Sequence, residues 1–218
     1  MIDFGELRKL IRTRRSIRKF QDKPVSDELL LRALELAVWA PNGGNHQGWR
    51  FLVVTNRDLI GKMADAVRTK SELLASWPEA RQFGGGVERW RRNSDFFRAA
   101  PACIAVLMSA YSSIADQILL ARGEGDPVAR EIQFHRRMGS SSLQSVAAAV
   151  ATLLLVLHHF GLGATWMAGP LQAKKEIEQL LQVPPEWNFV DLIPVGYPAE
   201  SPPPPPRKAA AEVVQFLR

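Results

Sequence analysis

Apolar positions near the start of the chain fall at helical spacing: Phe4, Leu7, Leu10 and Ile11 share one face of a 3.6-residue period. A second helix is predicted from Ser26, because Asp27 and Glu28 then sit where the helix dipole favours negative charge, and Val25 can staple against Leu30. Its apolar face is Leu30, Ala33, Leu34 and Ala37, and it should stop near Ala40, since the residue before Pro41 is pushed out of helical geometry. Strands are expected where β-branched and aromatic residues cluster between turn formers: Trp49 to Thr55, Ala102 to Ser109, Ala164 to Met167 and Phe189 to Val195. The longest apolar run, Val146 to Leu157, is broken only by Thr152 and falls well short of the ~20 residues of a membrane-spanning helix, so it reads as a buried central helix.

Few strands separated by long helical connections, without regular alternation, indicate an α+β class in one domain over residues 1–218. Two stretches look like insertions that form lids or mouths: Thr69 to Arg98, rich in Trp and Arg, and Ala121 to Gly139, which carries a Gly-Glu-Gly-Asp-Pro turn cluster. Residues 198–218 are expected as an extended arm, because the five prolines Pro202 to Pro206 hold polyproline II geometry for roughly 15 Å at ~3.1 Å per residue.

Composition narrows the partners. Of 218 residues, 46% are apolar, enough for a substantial core, and 28 Lys and Arg against 22 Asp and Glu leave a formal charge of +6. That balance favours an anion, whether nucleic acid, membrane surface or a phosphorylated cofactor. The single cysteine, Cys103, sits in an apolar stretch, excludes an internal disulfide and fits a reducing compartment. The N-terminus lacks the basic-then-apolar order of a secretory signal, so the cytoplasm is the expected location.

Two constellations carry candidate chemistry. Arg14-Arg15-Ser16-Ile17-Arg18-Lys19 packs four cations and a hydroxyl into six positions, and guanidinium forks match phosphate oxygens bidentately. Ala40 to Phe51 offers small residues and the side-chain amides of Asn42, Asn45 and Gln47, which can hydrogen-bond the edge of a heteroaromatic ring. Alone, the first reads equally as a solvated basic turn and the second as a Gly-rich turn with Trp49 capping the core.

Together they resemble the N-terminal signature of the nitroreductase family: Arg14-Arg-Ser-Ile-Arg18, then Ala40-Pro-x-x-x-Asn45-x-Gln47-x-Trp49 some 23 residues later. Gly161 to Pro170 is similar to the family's strand that passes the flavin ring, and Gly196-Tyr-Pro198 followed by Arg207-Lys208 to its closing phosphate contact. The resemblance implies a central, mostly antiparallel sheet flanked by helices in an intertwined homodimer, with FMN at the interface and NADH or NADPH as transient reductant. It implies that Arg14, Ser16 and Arg207 hold the phosphate and that Arg18 supports the anionic reduced ring electrostatically. Pro41, Asn42, Gly43, Asn45 and Gln47 would come from the partner chain, and Ala168 and Gly169 would approach the flavin N5 through backbone amides. Arg15 and Met167 complete the expected cofactor-binding set. The implied activity is ping-pong hydride transfer through the flavin to a nitroaromatic, quinone or other conjugated small-molecule acceptor. Oxygen-dependent flavin cleavage and reductive dehalogenation are alternatives within the fold. Gly48, Ala168 and Pro205 depart from the family's usual proline, acidic and basic residues, which leaves the branch open.

A reading from another class is a non-catalytic FMN- or nucleic-acid-binding protein, in which Trp77, Phe83, Trp90, Phe96 and Phe97 stack rings between Arg81, Arg89, Arg91 and Arg92. No nucleic-acid motif accompanies them, so neither nucleic acid nor membrane is expected as a partner. His46, His135, His158 and His159 lack metal-ligand spacing, and no metal is expected. Ser16-x-x-Lys19 lacks the companion elements of a serine acyl-enzyme, and Gly161-x-Gly163 lacks the third glycine of a dinucleotide fold.

Overall fold

Short polar side chains start the first helices. In the computed structural model, which describes residues 3–123 and 125–218, Asp3 caps α1 (Phe4–Thr13) by accepting the Glu6 N–H. Ser26 caps α2 (Asp27–Ala37) by accepting the Leu29 N–H, with Val25 and Leu30 buried as its staple. There follow β1 (Trp49–Val54), α3 (Arg57–Ser76), α4 (Gly85–Arg92), β2 (Ala102–Ser109), α5 (Ile114–Arg122), α6 (Pro127–Gly139) and α7 (Ser141–His159). The chain closes through β3 (Gly163–Ala164), α8 (Lys174–Leu180), β4 (Trp187–Gly196) and the short α9 (Ala210–Val213).

The strands form one sheet in the order β1-β2-β4-β3 with every neighbouring pair antiparallel, so the molecule is α+β as the sequence predicts. Helices cover both faces. Ile104 and Val106 of β2 point into a core with α2 and α7, while Cys103, Ala105 and Leu107 point into a second core with α3 and α8. Burial on both faces explains why β2 is a continuous apolar run and not an alternating one. The same burial lifts the Cys103 thiol far above its ordinary range, which makes it a packing residue and not a nucleophile. The run from Val146 to Leu157 lies within α7, with Val146, Ala149, Val150, Leu153, Leu154 and Leu157 buried.

Three boundaries differ from the sequence reading. The third strand is only Gly163–Ala164, because the Thr165 hydroxyl turns to the Ile17 carbonyl and the chain rejoins the sheet only at an isolated bridge between Met167 and Leu192. Helix α3 runs through Thr69 to Ser76 unbroken, with Val67 and Ser71 fully buried, so the Trp-rich excursion leaves the helical core at Trp77. Residues 127–139 are helical, with Pro127 in the first turn and the Asp126 carboxylate accepting the Val128 and Ala129 N–H groups.

Much apolar surface faces outward. Helix α1 has no buried residue at all, and Phe4, Ile11, Ile118, Leu120, Phe134 and Met138 are all exposed. An amphipathic helix that meets its own chain along α7 yet buries none of its own residues leaves an apolar face of the kind built for association.

Candidate active site

The residues after α1 form an extended strip laid between two distant parts of the chain. Ser16 bridges Ala164, the Ile17 N–H donates to the Ala164 carbonyl at 3.1 Å, and the Thr165 hydroxyl donates to the Ile17 carbonyl at 2.6 Å. On the other side the Gln21 N–H donates to the Tyr197 carbonyl and the Ala199 N–H to the Lys19 carbonyl, each at 2.9 Å. Glu200 adds a carboxylate that accepts the Arg18 and Lys19 backbone N–H groups at 2.5 and 3.1 Å. Because side chains alternate along an extended strip, Ile17 is buried while Ser16 and Arg18 lie on its other face. Ile17 fits only because residue 163 is glycine: a Cβ there would lie 2.7–2.8 Å from Ile17 side-chain atoms.

Positive charge converges at the head of this strip. The half-buried Arg14 guanidinium is held below its ordinary pKa, chiefly by burial and then by the charges of Arg207 and Arg15, and among the described residues no carboxylate acts on it. Arg15 donates to the Arg12 and Arg14 carbonyls at 2.7 and 2.8 Å, yet its Nε is buried without a partner. Mutually repelling guanidinium groups with an orphaned donor are incomplete without an anion. A phosphate monoester matches that donor set in charge and in hydrogen-bonding chemistry. Arg18 is exposed, its guanidinium 6.0 Å from the centre of the Phe96 ring.

Met167 to Gly169 lies along the same edge. Met167 exchanges backbone hydrogen bonds with Leu192 at 3.0 and 2.9 Å, which leaves Ala168 and Gly169 exposed at the start of a tight helical turn, where first amides have no acceptor of their own. Beneath them, burial pushes the Asp191 carboxyl up to about 6, opposed only by a hydrogen bond from the Trp166 side chain. A carboxyl with a folded pKa above its unfolded value of about 3.9 destabilises the fold once ionised, so that cost is full above pH 6 and disappears as pH falls toward 4. Asp191→Asn is therefore expected to raise unfolding stability by about 3 kcal/mol at pH 8, by roughly half that at pH 5 and by little near pH 4, as read from denaturant midpoints.

The amide-bearing loop lies elsewhere. The Gly43 N–H donates to the Ser145 hydroxyl of α7 at 3.1 Å, and the Gln47 N–H donates to the Asn42 side-chain oxygen at 2.9 Å. Gly44 has φ 59° and a Cβ there would meet the Tyr111 hydroxyl at 2.5 Å, while Asn45 and Gln47 adopt φ 50° and 51°. Left-handed backbone at two non-glycine residues in one short loop is strain of the kind that collects at binding sites. Gly48, the departure from the family's proline, is buried where a Cβ would meet His46 at 2.6 Å. The loop enters β1 where Trp49 pairs with Met108, whereas Ser16, Ala164 and Val195 gather at Ala102. At about 3.3 Å per residue along β2, the two motifs are offset by roughly 20 Å along the strands, and they lie at opposite edges of the sheet. One chain brings Arg14, Arg15, Ser16, Arg18 and Arg207 to one end of the sheet, sets Met167 midway along the same edge opposite Leu192 with Ala168 and Gly169 following it, and holds Pro41, Asn42, Gly43, Asn45 and Gln47 at the other end.

The Trp-rich segment folds as α4 between helical turns at Pro78–Phe83 and Phe96–Ala99, and lines an open apolar cavity of about 330 Å³ walled by Trp77, Phe83, Val87 and Trp90. A second cavity, about 610 Å³ and of mixed polar and apolar lining, lies beside the amide loop between Tyr111, Asp116, Arg136 and Ser140. Thr165, Glu200 and Asp191 escaped the sequence reading. Glu200 acts 182 positions from Arg18, and no local pattern announces such a contact.

Comparison with known proteins places the fold. The sequence profile of the nitroreductase family matches residues 11–197. A Methanothermobacter thermautotrophicus protein provisionally named NADH dehydrogenase/NAD(P)H nitroreductase is 28% identical over 194 residues, 88% of this chain and 77% of its own. A BluB-like flavoprotein from Clostridium difficile 630 is 26% identical and superimposes with a TM-score of 0.83 over 97% of this chain and 99% of that one. An iodotyrosine deiodinase bound to FMN and 3-iodo-L-tyrosine is also 26% identical, with a TM-score of 0.71 over 97% and 99% of the two chains. With its profile matched over most of its length and its fold shared end to end, the chain belongs to the nitroreductase family.

Proposed function

We propose that this oxidoreductase binds FMN and uses NAD(P)H to reduce a conjugated small-molecule acceptor by a ping-pong exchange at one flavin face. The observation that carries the reading is the convergence of Arg14, Arg15 and Arg207 without a carboxylate among the described residues acting on Arg14, a charge arrangement that only a bound anion makes favourable. FMN supplies hydride and electron transfer chemistry. The chain's part is positional: Arg14, Arg15, Ser16 and Arg207 hold the phosphate, and Arg18 stabilises negative charge on the pyrimidine edge. The exposed Ala168 and Gly169 amides present donors without side-chain bulk. Pro41 to Gln47 comes from a second chain, because in its own chain this loop is offset roughly 20 Å along the strands from the arginines, at the opposite edge of the sheet. Association also covers the apolar face of α1. Residues 77–98, with their aromatic cavity, act as a lid over the acceptor.

A second reading, reductive dehalogenation of an aryl halide, is favoured by the likeness to the deiodinase together with that aromatic cavity. The test is the absorption spectrum after FMN addition and desalting, followed by anaerobic NADH and NADPH. Retained flavin that bleaches establishes the reductase, and offering a nitroarene, a quinone and an iodophenol to the reduced protein separates the acceptors. Protein that retains no flavin overturns the proposal.

A further inference from the structure

One histidine without metal-ligand spacing is placed against the arginine cluster. His158, in the last turn of α7, has its Nε2 2.9 Å from the Thr13 hydroxyl at the end of α1. Thr13 also lies 2.8 Å from the Lys9 carbonyl, which can only accept, so the single hydroxyl proton goes to Lys9 and Nε2–H of His158 must be the donor to Thr13. The tautomer is thereby set, and Nδ1 is the free basic nitrogen. The imidazole is held below its ordinary pKa by burial first, and then by Arg14, Arg15 and its neighbour His159. From the packed helix α2, Arg32 stacks over the ring of the neighbouring Phe160 at 5.4 Å and is not among the charges acting on His158. Among the described residues no carboxylate acts on His158.

Resting on the FMN reading above, we infer that His158 is a further member of the phosphate cradle, taking up a proton at Nδ1 when a phosphate monoester dianion settles among Arg14, Arg15 and Arg207. The dianion reverses the field that the two arginines impose, and the C-terminal end of α7 already favours a cation. No bond is made or broken; the proton comes from solvent. The sign follows from linkage. Binding that raises a group's pKa consumes protons, so between the free and bound pKa values affinity falls as pH rises, by at most roughly tenfold per pH unit for one proton. Inorganic phosphate, lacking the ring, produces the same linkage at lower affinity, whereas riboflavin, lacking the phosphate, produces none.

The experiment is calorimetric titration of the cofactor-free protein with FMN at pH 7 in two buffers of different ionisation heat, on wild type and His158→Gln. The glutamine amide keeps a donor for Thr13 but cannot titrate. Wild type is expected to take up a substantial fraction of one proton with FMN and none with riboflavin, and His158→Gln to lose that uptake while still binding FMN. FMN binding with equal proton uptake in both proteins overturns the inference and leaves the cofactor assignment standing. Absence of FMN binding in wild type overturns both.

Discussion

Arg14→Ala is expected to raise the Kd for FMN roughly thirty- to hundredfold, the loss of about 2–3 kcal/mol from charge-assisted hydrogen bonds to a phosphate. The half-buried guanidinium is itself unfavourable in the free protein, since burial and the charges of Arg207 and Arg15 all oppose its ionisation. Removing it therefore leaves the thermal midpoint of the cofactor-free protein unchanged or higher, while affinity collapses. Structural damage would move both quantities downward together, so the pair of measurements, fluorescence quenching of FMN and a thermal melt, separates the two explanations. Arg14→Lys should fall between wild type and alanine, because a point charge keeps the attraction but loses the bidentate fork. Unchanged FMN affinity in Arg14→Ala would remove the phosphate assignment.

Gly163→Val is expected to cost about 3 kcal/mol of stability and to weaken FMN binding at the same time. The glycine is required by a close approach: a Cβ at residue 163 meets three Ile17 side-chain atoms at 2.7–2.8 Å, and Ile17 is the buried plug of the strip that presents Ser16 and Arg18. Valine has to push that strip away from Ala164 and Thr165, breaking the 3.1 and 2.6 Å hydrogen bonds that align it. Gly85→Ala is the matched control, since its added Cβ meets nothing within 4 Å, and its melt should be unchanged or slightly raised. Adding Ile17→Ala to Gly163→Val should recover part of the stability, because the two residues compete for one volume. A Gly163→Val protein that melts and binds FMN like wild type would show that the strip is not seated by this contact.

By itself the sequence determined what short-range physics controls. Val25, Ser26 and Leu30 mark the start of α2 because capping and stapling act within one turn. The run Ala102–Ser109 is a strand because its apolar continuity suits a sheet covered on both faces, and Val146 to Leu157 is a core helix because nothing polar but Thr152 interrupts it. The family's motif spacing carried the fold and the flavin assignment, since its residues stand at readable intervals along the chain. Tertiary structure alone decided which of those motifs meet. Antiparallel pairing sends Trp49 and Ala102 to opposite ends of the sheet, separating the amide loop from the arginines that the linear order sets only some 25 residues apart. It also brings Glu200 to Arg18 across 182 positions, His158 to Thr13 across 145, and Asp191 under Trp166 without a counter-ion. These placements depend on strand register and burial, quantities set by the whole packed chain and carried by no local pattern of residues.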